Sequence, residues 1–570
     1  MPLLETPLML AIHRPSLRLY AGILTLAALV PLGGCGGGGG GGSSGSSSGG
    51  SGAGSSSGGT SPAPTVSVVT PANGKAFWGK GVSAQFALKD ASGNAVTGAL
   101  SCVSDDASTL TVAADCSSVT GKRVGQQTIT VSGGGVSAKA TIKVIPQPQP
   151  IGARGADSNS YYNLVVTPDG RVLAWGWNQY SVLGQGQSLA ALDHLSLPAA
   201  VKDATGNVTL TGVVAVSAGA ESVLALTEDG EVYSWGGNTN HQLGRTAVNG
   251  DGLPGKVIGP DGVTPLEHVV AISVGDGNAI ALIDDGTVYS WGYFTGRSGS
   301  DPKVFAGPVD AVGGSGYLTG AVAISAGWNW SAALLADGRV VTWGYSFSAK
   351  GANFGQGAII ANTVASPGYV TSGSTGQPVN DAVSISAGYN FGLALSSAGT
   401  AYVWGEDDFG QTGQNTAYVN AYSAVSVKAP GGTGSLSGLS MVAAGGRYAL
   451  ALGSGGQVFS WGINHDGQLG DGVDNPRGQE SHLPAPVVAL GGINQLGNIA
   501  AIATGYGQSL ALAGDGSLLI WGDGIKSNLG QGVTSDTDSF VPLAVKNESG
   551  TGALNLGPMT YWPNPTQRAR

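Results

Sequence analysis

The sequence predicts an all-β protein, a seven-bladed β-propeller preceded by a small β-sandwich, and three observations carry that reading. Trp-Gly pairs recur seven times, at Trp175, Trp235, Trp291, Trp343, Trp404, Trp461 and Trp521, with spacings of 52 to 61 residues. A glycine stands five residues before each of these tryptophans, from Gly170 to Gly516, and Asp precedes it in five repeats, a hairpin-turn signal. Short Val/Ala/Ser-rich runs fill the intervals, as strands do. Composition agrees. Charged residues make up 11% where roughly 25% is usual. The 99 glycines follow no Gly-X-Y period, which excludes collagen, and 42% hydrophobic residues at net charge -10 argue against global disorder. Excess negative charge without any Lys/Arg-rich run disfavours nucleic acid as a partner.

Taken in order, residues 1–35 read as an export signal. Arg14 and Arg18 precede an apolar run from Leu19 to Leu32 that is too short to span a bilayer but fits a signal-peptide core. Either Met1 or Met9 fits as the start. The run ends in Leu32-Gly33-Gly34-Cys35, which resembles the bacterial lipobox. That resemblance implies lipidation of Cys35; the alternative is an ordinary signal peptide with a chance Cys. Residues 36–63 form a Gly/Ser-rich tether, which buries no apolar surface and is expected to be a coil with a reach of about 25–30 Å.

Residues 64–146 show short alternating runs at Val66–Val69, Ser83–Leu88, Gln127–Val131 and Ala138–Ile145, separated by Gly/Asn turns, as in a β-sandwich. The stretches Gly125–Val131 and Ala140–Val144 resemble the closing strands of bacterial group-2 Ig-like domains, which implies an extracellular spacer. Cys102 and Cys116 are the remaining cysteines, and two thiolates are too few for a metal site, so a disulfide is expected in an oxidising compartment. Residues 147–150, between Pro146 and Pro150, read as a stiff linker, and 548–570 as a tail.

Residues 151–547 hold the repeats. Each reads as four strands, for instance Val213–Ala218, Ser222–Thr227, Glu231–Trp235 and a later Pro-containing strand. Seven such units indicate radial repetition rather than a solenoid. The pattern at Ala218–Asn238 resembles the regulator-of-chromosome-condensation repeat, which implies seven-bladed propellers. Repeat three is shortened after its Trp. The strand at 540–546, with no repeat after it, is expected to join the sheet containing Trp175 and close the ring.

Antiparallel strands put the loops after each Ala-Gly step and each Trp-Gly pair on one face, with the Asp-Gly turns opposite. Aromatics gather on the first face at Trp177, Tyr293, Trp328, Trp330, Tyr345, Phe347, Tyr389, Phe391, Tyr448 and Tyr506. Trp and Tyr dominate binding hot spots, so these ten are the candidate partner-binding residues, while the seven repeat tryptophans are structural. The family resemblance implies protein binders: a bacterial β-lactamase inhibitor, and a nuclear exchange factor whose activity does not suit an exported chain.

Enzyme signals are thin. His194, His241, His268, His465 and His482 form no H-E-x-x-H pair, and Gly250–Val257 resembles a P-loop but ends in Val257, so it reads as an inter-strand loop. Asp407-Asp408, Asp471/Asp474 and Asp536/Asp538 lack EF-hand spacing and read as solvated loops. The expectation is a non-enzymatic, cofactor-free, envelope-anchored module that binds an unidentified protein and touches the membrane only through its lipid; the sequence does not give its oligomeric state. Gly36, where some inner-membrane lipoproteins carry Asp, hints at the outer membrane. The alternative is a glycan-binding or glycan-processing surface protein.

Overall fold

The computed structural model describes residues 63–557, apart from 72–73, 150, 153–160, 189, 347–351, 358–364, 417, 474–479 and 535. Cys35, tether residues 36–62, Phe347 and Asp474 lie outside the described residues.

The repeats fold into seven consecutive four-stranded antiparallel sheets, each built from strands in chain order. The first holds Ile151–Gly152, Tyr162–Val166, Val172–Trp177 and His194–Ala200; the last holds Ile499–Thr504, Gln508–Ala513, Leu518–Gly522 and Ser539–Ala544. Second strands such as Ser222–Thr227 and Gln508–Ala513 are buried at every residue. Both of their faces pack against neighbouring sheets, which explains their alternation of Ala and Leu without charge. The innermost strands touch one another in sequence around a channel of about 190 Å³. Ile151–Gly152 packs against both Val213–Ala218 and Ile499–Thr504, so the ring closes.

The strand expected to close it does something else. Ser539–Ala544 pairs with Leu518–Gly522 in the seventh sheet, not with the sheet of Trp175. The first sheet takes its inner strand from Ile151–Gly152 and is complete without a borrowed one. The closing seam is held by the repeat's own device. Trp175 Nε1 donates to the Asn528 carbonyl at 2.7 Å, as Trp235 does to Val182 (2.7 Å) and Trp461 to Gln411 (2.9 Å). In each case the acceptor lies in the preceding sheet, seven residues past that sheet's Trp. A glycine lies beneath each ring: a Cβ on Gly470 would stand 2.6 Å from Trp521 Nε1, and one on Gly530 2.9 Å from Trp175 Nε1.

Trp343 breaks the pattern. The loop after Trp291 is short, and the buried Trp343 Nε1 meets no acceptor among the described residues. Trp461→Phe strands the Gln411 carbonyl, whereas Trp343→Phe removes an indole N–H that already lacked a partner. Urea denaturation is expected to show Trp343→Phe costing about 1 kcal/mol less than Trp461→Phe. Equal costs would show that the indole bonds contribute nothing.

A second inter-sheet device lies nearer the channel. The hydroxyls of Ser217, Ser273, Ser325 and Ser386 accept from the backbone N–H of Val274, Ala326, Ala387 and Ala444 in the next sheet, at 2.9 to 3.1 Å. The corresponding residues of the sixth and seventh sheets are Ala443 and Ala503, which have no hydroxyl.

The predicted runs between 64 and 146 all fall in or across strands: Thr65–Thr70, Gly81–Ser83 with Gln85–Lys89, Gly125–Gly133 and Val136–Ile145. They enclose Phe86, Leu110, Val119, Ile129, Ile142 and the Cys102–Cys116 disulfide. This unit is not a free spacer. It docks on the Asp-Gly turns of the second and third sheets. Lys75 and Lys143 pair with Glu228 at 2.5 and 2.7 Å, and Lys143 reaches Asp229 at 2.8 Å. The fully buried Asp284 carboxylate accepts from Val124 N–H at 3.0 Å and lies 3.3 Å from Arg123. Trp78 Nε1 donates to the Asp284 carbonyl at 3.1 Å. The linker is docked too: Gln149 N–H donates to the Val214 carbonyl at 2.9 Å.

Candidate protein-binding face

Chain reversal at every strand end puts two loops of each sheet on one face. The short first loops (275–277, 327–329, 388–390, 445–447, 505–507) surround the channel mouth, and the longer loops after each Trp-Gly pair lie outside them. Hydrogen bonds tie the inner loops into a collar: Asp276 N–H donates to the Trp328 carbonyl at 2.8 Å and Tyr389 N–H to the Gly445 carbonyl at 3.2 Å.

Three of the predicted partner-binding residues are not on the surface. Trp330, Phe391 and Tyr448 are fully buried, each as the first residue of a second strand. The period of two turns these side chains into the next sheet. Trp330 Nε1 donates to the Gly388 and Tyr389 carbonyls, both at 3.1 Å, and Tyr448 Oη donates to the Gln508 carbonyl at 2.5 Å. They bolt sheets together, as Tyr162 does in the first sheet by donating to the Gly219 carbonyl at 2.8 Å.

The other described candidates are partly exposed and gather in three groups. Trp177 stacks on Tyr161 with centroids 6.3 Å apart. Tyr293, Phe294 and Tyr345 form a chain with steps of 5.5 and 4.9 Å. The third group is the largest. Trp328 stacks on Tyr389 at 4.0 Å, and Tyr506 meets Tyr389 edge-on at 6.5 Å. The Arg447 guanidinium lies over Tyr389 at 5.2 Å and over Phe409 at 4.7 Å, and Phe409 meets His465 at 6.0 Å. This group crosses the fourth to seventh sheets. Beside it opens a cavity of about 350 Å³ lined by Phe409, Arg447, Ile463, His465, Asp466, Gln468 and Tyr506.

Sequence reading missed Arg447, Asp466 and Asp523. A search for aromatics passes over the cation that joins them, although Arg447 stands in a short first loop like Tyr389 and Tyr506. Asp523 is buried next to this cavity's rim. Burial, and then the like charges of Asp466, Asp538 and Asp536, push its carboxyl up to about 7 against the Ile525 N–H it accepts. Glu406 is raised by burial and by Asp408, against Asn390 and Arg447. Glu228 and Asp284 were also missed. Their signal was an acid two residues before the turn glycine, found in the two repeats that receive the strands of residues 64–146.

The acidic pairs have structural uses. Asp407 is buried and accepts from the Thr412 N–H and hydroxyl at 3.0 and 2.6 Å, as Asn464 accepts from Leu469 N–H at 3.0 Å in the next repeat. Asp536 and Asp538 accept from the backbone N–H of Lys526 and Gly524. No group of three or more His, Cys, Asp or Glu is placed to hold a metal among the described residues. The stretch resembling a P-loop is a sheet-edge strand, Asp251–Lys256, rather than a loop.

Two family models described as the Regulator of chromosome condensation (RCC1) repeat match the chain, one at 169–226, 229–282 and 455–512, the other at 213–242, 321–351 and 382–411. Among curated proteins, the chain is 29% identical over 308 residues to the Ultraviolet-B receptor UVR8 of Arabidopsis thaliana, covering 53% of this chain and 62% of that one. It is 26% identical over 378 residues to Protein pim1 of Schizosaccharomyces pombe, covering 59% and 64%. The chain thus spans about three fifths of the length of these relatives. Among solved structures, Prp20p from Saccharomyces cerevisiae superposes with a TM-score of 0.53 at 21% identity, covering 71% of this chain and 88% of Prp20p. That likeness shows a shared propeller fold.

Proposed function

We propose that this chain, which carries regulator-of-chromosome-condensation repeats on a propeller fold, is a non-enzymatic module that binds a protein partner through its aromatic face. In this reading the seven sheets are the blades of one seven-bladed propeller, residues 64–146 are an Ig-like domain, and Cys35 anchors the chain in a bacterial envelope. The observation that carries the reading is the partly exposed Trp328–Tyr389–Tyr506 group with Arg447, drawn from four consecutive sheets. Aromatic residues and Arg on a rigid scaffold bury large areas at small entropic cost, as hot spots do. Prp20p is a protein studied for its binding to Gsp1p and histones, which supports a protein-binding use for propellers of this kind.

The test is affinity capture with the full chain, its Tyr389→Ala/Tyr506→Ala form, and Asp337→Ala on the opposite face. A partner recovered by the wild type and by Asp337→Ala, and at least tenfold less by the double variant, is expected. Equal recovery by all three sinks the aromatic face as the binding site. Retention of a polysaccharide instead of a protein favours the glycan alternative. In the same cells, Cys35→Ala is expected to leave the membrane fraction.

A further inference from the structure

The charge around the third aromatic group is one-sided. On the outer loops of the fifth, sixth and seventh sheets, the described acids are Glu406, Asp407, Asp408, Asp466, Asp471, Glu480, Asp523, Asp536 and Asp538, of which Asp407 is buried. Against these nine, the described Lys and Arg of the fourth to seventh sheets' loops on this face are Arg447 and Lys526. Lys526 is paired with Asp193 at 2.9 Å, and Arg447 is held over two rings near Glu406. The cavity lies inside this field. Its walls bring together two aromatic rings, Phe409 and Tyr506, the Asp466 carboxylate, the Arg447 guanidinium over Phe409, and His465. At about 350 Å³ it stands at the low end of ligand-pocket volumes, a size for one long side chain rather than a cofactor.

We propose that this cavity receives a lysine side chain from a basic segment of the protein partner. The methylene stem would lie along Phe409 and Tyr506, and the ammonium would meet Asp466, with the surrounding carboxylates steering the segment in. Each part follows from the chemistry of lysine: an apolar stem that covers ring surface, and a compact cation attracted both to ring faces and to carboxylates. Among the described Lys and Arg of these loops, an acidic segment would find Arg447, already over two rings, and Lys526, already paired with Asp193. This assignment rests on the aromatic-face reading and adds the chemical class of the partner.

The test uses the full chain and two fluorescein-labelled peptides of equal length, alternating Lys-Ser and alternating Glu-Ser, with anisotropy read at 50 and 200 mM salt. The Lys peptide is expected to bind and the Glu peptide not. Asp466→Asn and Tyr506→Ala are each expected to weaken the Lys peptide about tenfold, while Asp337→Asn on the opposite face leaves it unchanged. Lys-peptide affinity that is the same in Asp466→Asn, Tyr506→Ala and wild type overturns the proposal, because it reports only attraction to a chain of net charge -10. Equal binding of both peptides overturns it as well. Partner capture that is lost in Tyr389→Ala/Tyr506→Ala while the Lys peptide stays unbound removes the lysine assignment and leaves the aromatic face standing. Capture unaffected by the double variant removes both.

Discussion

Gly470→Ala is expected to cost about 3 kcal/mol of stability, although it adds a single methyl group. Two costs add. The residue sits at φ +61, where alanine is strained by about 1 kcal/mol. The new Cβ would also stand 2.6 Å from Nε1 and 2.8 Å from Cδ1 of Trp521, a ring wedged between sheets with no room to swing aside. Overpacking of this kind typically costs about 1–3 kcal/mol. Gly434→Ala separates the two effects, because Gly434 has φ +72 and nothing within 4 Å of its would-be Cβ. Urea denaturation should place Gly434→Ala near 1 kcal/mol and Gly470→Ala well beyond it. Similar losses at both sites would show that the tryptophan contact is soft and that backbone strain alone sets the requirement.

Asp523→Asn is expected to stabilise the protein, by an amount that grows as pH rises from about 4 to about 7. In the folded chain the Asp523 carboxyl is pushed up to about 7 from an ordinary 3.8, first by burial and then by Asp466, Asp538 and Asp536. Between those two values the folded state holds a proton that the unfolded chain has released, so stability falls as pH rises from about 4 to about 7 and is level beyond. At about 1.4 kcal/mol per pH unit, the gap sets a ceiling of about 4 kcal/mol on the penalty carried at pH 8. Asparagine keeps an Oδ1 to accept the Ile525 N–H, at 2.7 Å in the wild type, and carries no charge. Unfolding curves at pH 4.5 and pH 8 are the measurement: a gain of about 1 kcal/mol for Asp523→Asn at the lower pH, and a clearly larger one at the higher. A gain of the same size at both would mean that the charge is not its source.

Much of the repeat architecture was legible in the sequence because its punctuation is chemical. The turn glycines Gly230, Gly286, Gly338 and Gly516 all take positive φ, and the repeat tryptophans all lie between sheets. Such requirements are local, so they repeat in phase with the fold. The closing seam was misread because the described part of the first inner strand, Ile151–Gly152, shows no alternation that a sequence reading could use. The face was legible as a set of loops but not residue by residue. Trp330 and Trp328 are two positions apart, yet one is sealed between sheets and the other joins the exposed platform, a difference set by where the strand begins. Docking of the small domain joins residues far apart in the chain, such as Val124 and Asp284, and no local pattern announces that kind of contact.

The serine hydroxyls have a mechanical consequence. Four successive seams, from the second sheet to the sixth, carry this serine latch; the other three are tied by larger side chains, Tyr162 to the Gly219 carbonyl, Tyr448 to the Gln508 carbonyl and Trp175 to the Asn528 carbonyl. A closed ring of equal units would have no preferred place to break. This one fastens its seams in two ways, so its repeats are not interchangeable: an alanine in place of Ser217 leaves the Val274 N–H without that acceptor.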